Sequence, residues 1–131
     1  MSDDPRAWQP VMLPDPYPPP AGAYSPAVRA GDLLFISGQV PRDLVSGALA
    51  GADLASQTRQ VLENLRVTLG AAGARIDDVI AVTVFLANTD DWTEFNSIYK
   101  SLLTPPYPSR TVVGAQLRGI LIEINAVAKV N

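Results

Sequence analysis

The chain has 131 residues, 47% of them hydrophobic and 18% charged, with a formal net charge of -3 and neither histidine nor cysteine. That length holds one core and not two, and ten dispersed basic residues leave no basic face for nucleic acid or for an anionic membrane surface. The missing cysteine excludes disulfides and thiolate chemistry, and the missing histidine removes the commonest general base and metal ligand.

Residues 1–20 carry seven of the twelve prolines. This segment cannot be helical and lacks donors for a sheet, so it reads as an extended arm anchored by Trp8, Met12 and Leu13, or as a loose tail. The opening "MSDDPRAWQP" contains no apolar signal core, which points to a cytoplasmic chain. No apolar run reaches the ~20 residues that would span a bilayer. From residue 21 to 131 a single domain is expected. "AVRAGDLLFISGQVP" reads as a short strand, a turn at Ala30-Gly31-Asp32, and an apolar strand ending at Ser37-Gly38. Leu54, Thr58, Val61, Leu62, Leu65, Leu69 and Ala72 then recur at helical spacing, with Asp53 suited to the N-cap and Gly73 to the C-terminal cap.

The run from Val79 to Ala87 is apolar and β-branched throughout, the pattern of a strand buried on both faces. A second helix is predicted from Thr89 or Asp90, with Trp92, Phe95, Tyr99 and Leu102 along one side, and Pro105 and Pro106 end it. Two strands close the chain, Thr111 to Leu117 and Leu121 to Val130. In the last, Ile122, Ile124, Ala126, Ala128 and Val130 share one face, while Glu123, Asn125 and Lys129 share the other with Leu121 and Val127. The order β-β-α-β-α-β-β gives an α+β or α/β sandwich with helices packed on one sheet. The adjacent pairs Asp3-Asp4, Asp77-Asp78 and Asp90-Asp91 suit turns and helix starts better than metal ligation, so no metal site is expected.

Several ordered blocks carry a resemblance. "YSPAVRAGDLLFISGQVP", "LENL" followed by "GAAGARIDDVIAVTVFL", then "FNSIYKSLL", "PSRTVVG" and "IEINAVA" together resemble the RidA/YjgF family of reactive-intermediate deaminases. The resemblance implies a chorismate-mutase-like α+β sandwich, with a mixed β-sheet, two helices packed on one face and a homotrimer with a barrel-like centre. It implies pockets between subunits, no cofactor, and hydrolysis of enamines and imines such as 2-aminoacrylate to 2-keto acids and ammonia, while the charge balance argues against a nucleic-acid or membrane partner. Arg110 falls on the family's substrate-carboxylate arginine and Glu123 on its acidic residue near the water or leaving nitrogen. Tyr24, Ser37, Gly38 and Asn96 fall on pocket-lining positions. The chain departs from the family pattern at Val112, often cysteine, and at Asn125, often glutamate. It also has a shorter interval from Arg110 to Glu123. The family further implies that the last strand inserts mid-sheet, although Arg118-Gly119 looks locally like a two-residue hairpin turn.

Such a reaction needs neither histidine nor metal. A 2-imino acid is electrophilic at its imine carbon, so the protein has only to hold the carboxylate, polarise the nitrogen and aim a water. A guanidinium does the first through two parallel hydrogen bonds, a carboxylate can orient the water, and backbone donors near Ser37-Gly38 can steady developing charge. Taken alone, Arg110 reads as a surface or ion-pair residue, Glu123 as a solvated or interface carboxylate, and Tyr24 and Asn96 as packing or loop-bonding residues. Two further functions are compatible with the same cleft: a non-catalytic, regulatory trimer that binds small carboxylates, and a pathway-specific deaminase with an aminomuconate-like substrate.

Overall fold

A computed structural model describes residues 5–131. The elements in chain order are β1 (Trp8–Val11), β2 (Ala27–Ala30), β3 (Leu33–Gln39), α1 (Leu54–Ala71), β4 (Val79–Leu86), α2 (Trp92–Leu102), β5 (Ser109–Gly114) and β6 (Ile122–Lys129). Short 3-10 turns at Ile76–Asp78 and Thr89–Asp91 lead into β4 and α2. The strands form one sheet in the order β1-β2-β3-β6-β4-β5. β4 and β5 are parallel, and every other pair is antiparallel.

The last strand therefore lies between β3 and β4, as the family resemblance implied. Arg118-Gly119 does not join β5 to β6 as a hairpin. Gly119, at φ 72°, turns the chain away, and β6 runs back through the middle of the sheet. Its alternation explains why. Ile122, Ile124, Ala126 and Ala128 are all buried, while Glu123, Asn125 and Val127 are half-buried on the opposite face. A strand with one continuous apolar face is best used where it meets the most core, at the sheet centre.

Helix α1 supplies the other wall of that core. Leu54, Thr58, Val61, Leu62, Leu65 and Leu69 are buried. The Asp53 carboxylate accepts the Ser56 N–H at 2.9 Å, and Gly73 takes the left-handed φ of 76° just past the helix end. Phe95 and Tyr99 of α2 complete the core, whereas Trp92 and Leu102 stay exposed.

Two expectations are corrected. The proline-rich arm was predicted to lack the donors for a sheet, yet Trp8–Val11 pairs antiparallel with β2. It does so as an edge strand, where only one side of the backbone must bond and Pro10 is tolerated, and Val11 packs against the core. The strand Val79–Leu86 was predicted to be buried on both faces, yet only its helix side is covered. Ala81, Thr83 and Phe85 are half-buried and Ile80 is exposed. The uncovered face also carries Phe35, 46% exposed, and Val113, 39% exposed.

Buried amides on α1 brace the sheet from the helix side. The Gln57 side chain donates to Gly51 O at 2.8 Å and accepts the Leu121 N–H at 2.8 Å, tying the loop before α1 to the start of β6. Asn64 donates to both Val40 O and Arg42 O, at 2.9 and 2.8 Å. Replacing Gln57 by leucine keeps the volume but strands a carbonyl and an N–H. We expect a stability loss of about 2 kcal/mol in urea denaturation, and a variant as stable as wild type would show that these bonds contribute nothing.

Candidate functional site

Arg110 is the second residue of β5, at the edge of the sheet. It pairs with Val82, which pairs with Ala126, and both are buried under the helices, so Arg110 leaves the sheet on the helix side. Its guanidinium carbon lies 4.9 Å from the ring centre of Tyr99, 5.5 Å from that of Phe95 and 5.6 Å from that of Trp92. All three rings come from α2 at positions 92, 95 and 99, the spacing of one helical face. Rings attract the cation without neutralising it. Arg66, Arg75 and Lys129 each meet a carboxylate, but Arg110 meets none among the described residues. Burial pushes the Tyr99 phenol up, partly offset by the Arg110 charge, so the ring stays neutral beneath the guanidinium. Asn96, on the same helix, lines a groove of about 440 Å³ together with Arg110.

Glu123 lies on the other side of the sheet. It pairs with Phe85, which pairs with Val113, on the uncovered face. Its carboxylate lies over Gly38, where an added Cβ would stand 2.9 Å from Glu123 Cδ and closer still to Oε2. Glycine is thus the residue that makes room for the acid. The β3–β6 ladder is bulged here, for Ile36 faces Ala126 and Gln39 faces Ile124, leaving Ser37 and Gly38 opposite Asn125. Burial raises the Glu123 pKa above the ordinary 4.5.

The remaining predicted residues divide between these two regions. Tyr24 is 56% exposed and shares a cavity of about 220 Å³ with Gly38. The Ser37 hydroxyl donates to Ser25 O at 2.7 Å, and its N–H donates to Pro26 O at 3.1 Å. The expected backbone donor at Ser37 is therefore already used in holding the segment before β2. One chain brings Asn96 together with Arg110, and Gly38 together with Tyr24 and Glu123, but it does not bring Arg110 to Glu123. None of the six lines a further cavity of about 350 Å³ between α1, α2 and β4.

Sequence reasoning missed the aromatic cradle around Arg110 and the braces Gln57 and Asn64. The cradle had a signal, since Trp92, Phe95 and Tyr99 were on one predicted helix face, but nothing said which strand residue that face would meet. Gln57 and Asn64 stand among the leucines of α1, where a polar residue has to find partners.

Comparison with known proteins agrees with this fold. The family model described as endoribonuclease L-PSP matches residues 16–130. A RutC family protein of Pyrococcus horikoshii is 41% identical over 120 residues, covering 90% of this chain and 95% of its own. Among solved structures, RidA of an Antarctic Psychrobacter superposes with a TM-score of 0.85 at 30% identity, over 93% of this chain and 100% of its own. The YjgF gene product of E. coli superposes with a TM-score of 0.83 at 29% identity, over 92% and 98%. Fold and site together define a mixed sheet with two helices on one face and an unneutralised arginine at its edge. The chain belongs to the RidA/YjgF family, the one whose model is described as endoribonuclease L-PSP.

The contact between Gly38 and Glu123 can be read directly. In Gly38→Ala the new methyl should turn the carboxylate out into water, and its pKa should return towards 4.5. Carbon-detected NMR titration of the Glu123 carboxyl measures this, and an unchanged elevated pKa would contradict the packing described.

Proposed function

We propose that the chain is a cofactor-independent imine and enamine deaminase acting on small 2-imino acids, with its active sites between the subunits of a homotrimer. The observation that carries the reading is Arg110, a guanidinium fixed by three rings and left without a counter-ion among the described residues. A planar cation held in place with its hydrogen-bond donors unspent is a receptor for a carboxylate. The trimer accounts for the uncovered sheet face with Phe35 and Val113. It also accounts for the separation of the two candidate groups, because a neighbouring copy can bring its Glu123 and Gly38 to the Arg110 edge of the first.

In this reading Arg110 binds the substrate carboxylate through two hydrogen bonds, and Asn96 flanks it. Glu123 of the adjacent subunit accepts a proton from water as the water oxygen attacks the imine carbon. The same carboxyl returns the proton to nitrogen. The carboxylate then takes the proton of the new hydroxyl and passes it to that nitrogen as the carbon–nitrogen bond breaks, so ammonia leaves and the 2-keto acid remains. Holding water and electrophile in contact supplies most of the acceleration, and the half-buried carboxylate is a better base for its raised pKa. A nuclease mechanism fits less well, since the chain has no histidine and a net charge of -3.

The assay generates 2-iminobutyrate or 2-iminopropionate in situ and follows its disappearance. Arg110→Ala should lower kcat/KM by about a hundredfold, the equivalent of two charge-assisted hydrogen bonds at about 1.5 kcal/mol each. Arg110→Lys should restore only part, because an ammonium neither forks nor stacks as the guanidinium does. Wild type no faster than buffer, or a fully active Arg110→Ala, would sink the proposal.

The pH dependence has a definite sign. Glu123 acts as a carboxylate, so the rate should be level at neutral pH and fall as pH drops through its raised pKa, on the alkaline side of 4.5. Glu123→Gln should cost roughly a hundredfold in kcat and erase that acid limb. An acid limb that persists in Glu123→Gln would assign it to another group.

A further inference from the structure

We infer that the Arg110 groove is built for substrates with a second anionic group, that is, for 2-imino dicarboxylates in preference to 2-imino monocarboxylates. The inference rests on the reading of Arg110 as a carboxylate receptor. The groove is lined by Asn96, Tyr99, Lys100, Tyr107, Pro108 and Arg110. Two of these six are cations and none is an acid, in a chain whose acidic residues outnumber its basic ones by 13 to 10.

Lys100 reaches this groove by helix geometry. It stands four residues after Asn96 on α2, hence one turn further along the same face. It makes no ion pair and no side-chain hydrogen bond among the described residues, which sets it apart from Arg66, Arg75 and Lys129. Arg110 is likewise unneutralised. Two uncompensated cations lining one concave surface repel each other until an anion lies between them, and a concave wall focuses their field on that space. A monocarboxylate answers one of them, whereas a dicarboxylate answers both. Tyr107, 45% exposed on the same wall and 6.4 Å from the Tyr99 ring, adds a flat surface for the chain that joins the two carboxylates.

The direct probes are 2-oxoglutarate and 2-oxobutyrate, as stable analogues of the two product classes, titrated calorimetrically into the full chain. Turnover of 2-iminoglutarate and 2-iminobutyrate is compared alongside. Wild type should prefer the dicarboxylate by about fivefold, the upper range for one solvent-exposed charge pair, and the preference should shrink as salt rises. Lys100→Gln should bring the ratio of the two affinities close to one, with the loss in KM rather than kcat, and Lys100→Arg should keep it. A wild type that binds both acids equally, or a Lys100→Gln variant with the same ratio as wild type, overturns the inference. If Arg110→Ala abolishes binding of the monocarboxylate in the same experiment, the underlying site reading survives that failure. If Arg110→Ala changes neither affinity, the site reading has failed and this inference falls with it.

Discussion

The pleat of β6 governs everything else in the molecule. Because successive side chains of a strand point to opposite faces, burying Ile122, Ile124, Ala126 and Ala128 under the helices commits Glu123, Asn125 and Val127 to the other side. The hydrogen-bonded register across β4 then places Arg110 in the row of Val82 and Ala126, and Glu123 in the row of Phe85 and Val113. Sliding one strand by a single residue would turn its core residues outward, so the packing that stabilises the fold also keeps the two groups apart. In the proposed trimer, a site that needs both is completed by another copy.

Each half is left electrostatically incomplete. Arg110 is held by the faces of three rings instead of by a carboxylate, which costs little and leaves its charge available. Glu123 is partly withdrawn from water over Gly38, with no cation among the described residues to offset the burial, and its pKa rises accordingly. An arginine without an anion and an acid without a cation are poor devices for stability. They suit a cleft that gains its partners from a neighbouring subunit and a bound substrate. The amide of Gln57 ties Leu121, two residues before Glu123, to the helix layer, so the acid rides on a braced strand.

Much of this was legible in the sequence, for identifiable physical reasons. The period-two pattern of Ile122 to Val130 gave the buried face of β6 and put Glu123 on the other one. The Asp53 cap and the leucine spacing gave α1. The prolines after Leu102 gave the end of α2. Three things were hidden. Pairing of Trp8–Val11 with β2 depends on an edge being free, which no local pattern records. The opposite facing of Arg110 and Glu123 depends on the register between strands that are not adjacent in sequence. The apolar run Val79 to Ala87 was read as buried on both faces, and in one chain it is not. The residues that broke the prediction, Phe85 and Ile80 with Phe35 and Val113 nearby, belong to the surface that the proposed trimer would cover.

Mixing two inactive variants tests the central claim most directly. Arg110→Ala and Glu123→Ala chains are co-refolded, and imine hydrolysis by the mixture is compared with each variant alone. If the site is shared between subunits, some interfaces in the hybrids combine an intact Arg110 from one chain with an intact Glu123 from the next, and activity returns. If both groups act within one chain, no mixture contains a complete site, and a hybrid as inactive as its parents would contradict the account.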